Sequence, residues 1–316
     1  MIAAVRRRIM HTMKNHIGRA VIVVAVLTAA HPFEGLASFV VAGTMQDAAA
    51  KAAAVLAGAR EALGGADTLR AVKTLQAAGD VRRSVGEMQL EGELELLIEA
   101  PGRMRRNEAI GMPGGGTMVR SEVLNGAEVW DDTSQRGGMG GHMVMMRGPG
   151  GREMSEDEMQ EMRRRMRRAD LARYMLAWLL TTDAPMLHAG VAEAPDGTAD
   201  VLEVKPAEGA AVRLFIDRQT HRPLMISWTG PQPRMMIRRG AGPGAAPNPD
   251  QMRREGAADG PPPQATFEMR FDDYRAVDGI QLPHLISRAV NGSVNEEWTI
   301  KSYKVNASFK NNTFTK

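Results

Sequence analysis

The sequence predicts an α+β fold built on about nine to eleven mostly antiparallel strands, and three observations carry that prediction. Apolar and acidic residues alternate with period two, as in Leu90, Leu94, Leu96 and Ile98 against Glu91, Glu93 and Glu95, the pattern of a strand with one buried face. The pairs Asn125-Gly126, Asp278-Gly279 and Asn291-Gly292 are hairpin-turn signals between such stretches. The helical segments come as one pair before the strands and one long helix in their middle, and that order argues against a strand–helix alternation and a parallel sheet.

The elements follow in chain order. Arg6, Arg7, Arg8, Lys14 and Arg19 precede the apolar run 20–30, the layout of an export signal over 1–37. The run is shorter than the roughly 20 apolar residues of a spanning helix. The expected location is the periplasm, with an uncleaved inner-membrane anchor as the alternative. Residues 46–63 read as an Ala-rich helix with Val55, Ala59 and Leu63 on one face, stopped by Gly64-Gly65. Asp67 is placed to cap a short second helix through 73. Strand signals begin near 75 and recur at 103–110, 117–124 and 127–131. Ser155 and Glu158 form a capping box for a long helix to about 181. Its expected apolar stripe is Met159, Met162, Met166, Leu171, Met175, Trp178 and Leu179. Strands resume at 199–205, 210–217 and 222–229, then at 266–275, 280–290 and 294–304. A Met/Gly-rich insertion at 134–151 and a Pro/Gly-rich insertion at 231–264 interrupt what reads as one domain over 46–316.

Composition narrows the function. The 316 residues contain no cysteine, which excludes a disulfide scaffold, a Cys-ligated metal and a cysteine nucleophile. It also means that the chain is not itself lipid-anchored through an N-terminal cysteine. The formal charge is +3, but the export segment holds five basic residues and one acidic one. The remainder is near neutral, so no basic footprint argues for nucleic acid. No HExxH, GxSxG or phosphate-loop pattern occurs. No catalytic residue and no cofactor is expected. Asp272, Asp273 and Asp278 read as turn and strand-end residues. Met139, Met143, Met145 and Met146 flank His142, a soft donor set for Cu(I) and the basis of one alternative function. Arg163, Arg164, Arg165, Arg167 and Arg168 read as a solvated helix face, with anionic lipid headgroups as the alternative partner.

Several segments in order resemble the LolA/LolB-like lipoprotein-carrier superfamily. They are Ala62-Leu63-Gly64-Gly65, then Ile98-Glu99-Ala100-Pro101-Gly102-Arg103-Met104-Arg105, then Val123-Leu124-Asn125-Gly126-Ala127-Glu128-Val129-Trp130. Leu214-Phe215-Ile216-Asp217, Phe271-Asp272-Asp273-Tyr274 and Tyr303-Lys304-Val305-Asn306 continue the match. The resemblance implies an incompletely closed antiparallel barrel whose apolar concave face is covered by helices and shelters acyl chains. By alternation the inward residues are Leu94, Leu96, Ile98, Leu214, Ile216, Ile226, Trp228, Trp298 and Ile300. Met162, Met166, Met175 and Trp178 would belong to a lid helix. The implied role is a non-enzymatic carrier or sensor of lipid or lipoprotein acyl chains, with transient membrane contact. An envelope protein-interaction module acting through the two insertions is a further alternative.

Overall fold

The computed structural model describes residues 37–136, 155–180, 184–194, 197–205, 210–232 and 263–316. The expected export signal, apart from its last residue, and the Cu(I) methionines lie outside the described residues, as does most of each insertion. Two helices come first: α1, Ala37–Ala62, and α2, Ala66–Arg70. Five strands follow: β1 (Thr74–Val85), β2 (Met88–Glu99), β3 (Arg103–Gly111), β4 (Thr117–Asn125) and β5 (Glu128–Arg136). The long helix α3, Glu156–Ala177, is next. Seven more strands complete the order: β6 (Met186–Ala194), β7 (Gly197–Val204), β8 (Val212–Asp217), β9 (Pro223–Pro231), β10 (Gln264–Val277), β11 (Ile280–Val290) and β12 (Ser293–Val305).

The twelve strands form one sheet in the order β5-β4-β3-β2-β1-β12-β11-β10-β9-β8-β7-β6, and every neighbouring pair is antiparallel. Two meanders therefore meet where the first strand pairs with the last. The edges β5 and β6 do not pair, so the sheet curls without closing. At two points of this curl the backbones approach too closely for a side chain. A Cβ on Gly92 would lie 2.2 Å from the Ala109 carbonyl oxygen, and one on Gly79 would lie 2.1 Å from that of Thr299. These glycines sit on adjacent strands, and β1 carries a bulge at Ala78/Gly79. Bulges and glycines are the usual means of bending a sheet. Asp278-Gly279 and Asn291-Gly292 have positive φ at both residues (48° and 85°, 49° and 79°), as the tight hairpins they close require.

The structure adds one strand to the expected count. β6 has the sequence MLHAGVAEA, rich in Ala and Gly, without the β-branched alternation that marks a strand. Asp67 caps nothing: the N-cap of α2 is Gly65, with no side-chain cap hydrogen bond. Asp67 instead accepts a hydrogen bond from Arg70, and α2 ends at Arg70 rather than Lys73.

The main core lies on the concave face and joins α1, α2, α3 and the sheet. The opposite face carries two smaller clusters. One is Leu97, Val123 and Phe314, with Trp130 and Phe309 packed against it. There the C-terminal residues return across β3, where Arg105 Nη1 donates to the Thr313 carbonyl (2.8 Å). Among the described residues no helix is long and apolar enough to cross a membrane.

Candidate functional site

The concave face is covered by α3, and that helix has two chemically different halves. Its start is the predicted capping box: Ser155 Oγ accepts from the Glu158 amide, and the Ser155 amide donates to Glu158 Oε2. Glu156 and Asp157 complement the positive end of the helix dipole. The N-terminal half meets the β4–β5 hairpin through ions. Arg167, with a side chain 6% exposed, lies 2.7 Å from Glu122 and 3.0 Å from Asp131. Arg164 Nε donates to the Ala127 carbonyl at 2.6 Å.

Two expectations change here. The arginine run is not a uniformly solvated face, because Arg167 is buried in this ion cluster. Met166 is 46% exposed and lies off the apolar stripe, and Met162 is half-buried. The residue facing the sheet at this level is the arginine beside Met166. The stripe proper starts at Ala169 and Leu171.

The C-terminal half is aromatic. Tyr174 stacks on Trp178 (centroids 5.6 Å apart, planes 19°) and lies 5.9 Å from Trp298. Trp178 meets Tyr303 edge-on at 6.4 Å, and Tyr303 meets His284 edge-on at 5.2 Å. Arg173 sits 4.1 Å above the Trp228 ring, which stacks on Phe267. Burial pushes the Tyr174 hydroxyl up to about 12, against the pull of Arg106 and Arg288. The helix ends tightly: the Leu180 amide bonds the Met175 carbonyl and the Leu179 amide bonds that of Leu176. Leu179 takes φ 52°, a position usually given to glycine.

All nine residues expected to face inward are buried, and all nine belong to the one cluster that α3 enters. Leu94, Leu96 and Ile98 lie on β2; Leu214 and Ile216 on β8; Ile226 and Trp228 on β9; Trp298 and Ile300 on β12. Met175 and Trp178 of α3 join the same cluster.

Next to this apolar surface runs a buried polar belt. Arg106 pairs with both Glu108 and Glu296, the latter at 2.9 Å. Arg83 reaches Glu108 at 3.0 Å and Glu296 at 2.6 Å. Arg288 lies 3.6 Å from Glu296, and Trp298 Nε1 donates to Glu296 Oε1 at 2.6 Å. Arg106 and Arg288 also lie over the Trp298 ring, 4.8 and 6.0 Å from its centroid. Burial alone would raise the Glu296 carboxyl. Arg106, Arg288 and Arg83 outweigh it and hold the group well below the usual carboxylate range.

The belt was not among the predicted site residues, yet its signal is in the alternation. Arg106 and Glu108 share the phase of Met104 and Ile110, and Glu296 that of Trp298 and Ile300. Among the described residues no group of three or more His, Cys, Asp or Glu is placed to hold a metal. A separate polar cavity of about 490 Å³ lies among Arg105, Trp130, Asp131, Asp132, Asn312, Thr315 and Lys316.

The class is therefore an open antiparallel half-barrel with a helix laid along its concave face. No family model matches the chain, and no curated protein does. Among solved structures it is similar to a LolA superfamily protein from Nitrosomonas europaea, with 14% identity, a TM-score of 0.44, and coverage of 82% of this chain and 97% of that one. It is also similar to an outer membrane lipoprotein-sorting protein domain from Vibrio parahaemolyticus (11%, 0.41, 82% and 95%). A DUF1329 family protein from Desulfovibrio piger is comparable (9%, 0.41, 83% and 96%).

Proposed function

We propose that this protein is an exported, non-enzymatic carrier or sensor that shelters acyl chains between α3 and the concave face of the sheet. One observation carries the reading: the apolar trough is covered by helices, with α3 lying over β3, β4, β5, β8 and β9 through a few large side chains, and not by a second sheet. Leu171, Tyr174, Met175, Leu176 and Trp178 are large buried side chains that α3 and its C-cap contribute to that cover. At roughly 1.5–3 kcal/mol each, their burial is worth about 8–15 kcal/mol. A C16 chain offers about 14 methylenes at roughly 0.8 kcal/mol each, or about 11 kcal/mol. Helix and ligand are therefore near-equal competitors for one surface, which suits reversible loading and release. The nine inward residues would then line the acyl site, and Met175 and Trp178 would be the parts of the lid that leave it. Lipid or a lipoprotein's acyl chains are the partners, and the periplasm is the compartment.

Native mass spectrometry of protein isolated from an envelope extract should show co-purifying lipid, and a neutral fluorescent acyl probe should be taken up. A bare mass together with no probe uptake would overturn the reading.

A further inference from the structure

The trough contains an excess of hydrogen-bond donors. Among the described residues five buried side-chain atoms lack a partner: His284 Nε2 and four N–H donors, Arg106 Nε, Arg167 Nε, Arg173 Nε and Trp178 Nε1. Buried polar groups in folded proteins are overwhelmingly paired, so each orphan calls for a partner. All four belong to α3 or to the polar belt facing it. What this region lacks is oxygen acceptors.

Charge points the same way. On the sheet, the guanidiniums of Arg83, Arg106 and Arg288 face the carboxylates of Glu108 and Glu296, so one cation is uncompensated. The helix adds Arg173 and Asp170, which pair with each other at 3.0 Å and cancel. The neighbouring Arg120, Arg163 and Arg167 meet the two carboxylates of Glu122 and Asp131, three cations against two anions, and Arg167 also lies 3.9 Å from Asp170. Arg288 is the least committed of the belt, with a single 3.6 Å ion contact. It and Arg106 both lie over Trp298, and Trp298 is one of the residues of the apolar trough.

We infer that the ligand is an acidic amphiphile, with its oxyanion between Arg106, Arg288 and Arg173 and its chain along the trough. A guanidinium fork suits a carboxylate and a phosphate equally, so the shared chemistry is a terminal oxyanion on an acyl chain. The inference rests on the carrier reading and names its substrate class.

The test is competition against a neutral fluorescent acyl probe. The competitors are hexadecanoate, hexadecyl phosphate, methyl hexadecanoate, acetate and inorganic phosphate. The expected result is that one or both long-chain acids displace the probe at least tenfold better than the ester, with acetate and phosphate inactive. In Arg288→Gln the acid-to-ester ratio should fall to within about twofold, and Arg288→Lys should restore most of it. Arg82→Gln, which removes a surface pair with Glu297, should keep the ratio. If Arg288→Gln does not fold, as judged by its melt, Arg173→Gln is read in the same way.

Equal displacement by acid and ester would overturn the inference and leave the carrier reading intact, with water as the partner of the orphan donors. A preference that survives in both Arg288→Gln and Arg173→Gln places the anion elsewhere and also overturns it. Displacement by acetate or inorganic phosphate would show a free-anion site and would likewise overturn the inference. If the probe itself never binds, the carrier reading fails and this inference fails with it.

Discussion

Replacing Trp178 separates two opposing contributions that one side chain makes. The ring is 2% exposed, stacks on Tyr174 and meets Tyr303 edge-on. Truncating a buried Trp to Ala costs about 3–5 kcal/mol through lost transfer energy and a cavity. Aromatic contacts account for roughly 0.5–1.5 kcal/mol per pair of that. The indole N–H has no acceptor, and a buried unpaired donor costs about 1–3 kcal/mol. Trp178→Phe keeps a stacking ring, leaves a small void worth about 1–2 kcal/mol, and removes the orphan donor. The two substitutions should therefore differ sharply. Trp178→Ala should lose about 3–5 kcal/mol, and Trp178→Phe should stay within about 1 kcal/mol of the parent. Urea unfolding followed by far-ultraviolet circular dichroism measures both, free of the change in tryptophan fluorescence, provided the m-value is unchanged. A loss above about 3 kcal/mol in Trp178→Phe would mean that the indole N–H is satisfied, and the donor-excess argument would fall.

Three further outcomes follow from the ion clusters and the sheet. Arg167→Met leaves Glu122 beside Asp131 without the cation between them, and should cost about 2–4 kcal/mol; a double-mutant cycle with Glu122→Gln should return a coupling of about 1–3 kcal/mol. The Glu296 carboxyl is depressed in the folded protein, so its contribution is present above its unfolded value of about 4.3 and is lost as pH falls below it. Glu296→Gln should accordingly be less stable than the parent at pH 7, with the gap narrowing from pH 5 downward in urea titrations; a gap that does not change with pH would contradict this. Gly92→Ala drives a methyl against the Ala109 carbonyl and should lower stability by about 2–3 kcal/mol, whereas Gly86→Ala, where nothing lies within 4 Å, should lose less despite its φ of 61°.

Much of the fold was legible because strand period and turn chemistry agree locally. Asp278-Gly279 and Asn291-Gly292 fall where hairpins close, and Ser155 with Glu158 opens α3 as expected. β6 was not legible because its Ala189, Gly190, Ala192 and Ala194 lack both branching and alternation. It forms because β7 offers it a ladder, and a tertiary partner outweighs weak local preference. At the site, apolar residues were found by phase alone. The belt was missed because Arg106, Glu108 and Glu296 are soluble in isolation, and only their mutual pairing makes burial tolerable. Pairing between β1, β3, β11 and β12 is long-range information that no local window contains. Arg167 illustrates the same limit: its partners, Glu122 and Asp131, lie far upstream, and the helix period by itself selected Met166.

The pairing of β1 with β12 has a consequence for how the molecule comes into being. Each meander can zip from its own hairpins, but the central seam joins residues more than two hundred positions apart, as in Leu75 opposite Val305. Closing so long a loop precedes any gain from the contact. Until the last strand is available the first half of the sheet must wait, with Leu75, Ala77 and Val81 paired to β2 alone. The trough and its belt, to which Glu296 and Trp298 are indispensable, do not exist before that moment. A chain lacking residues 293–316, and with them β12, should therefore remain unfolded throughout, rather than fold as a trimmed version of itself. The trough is whole only once β12 is in place.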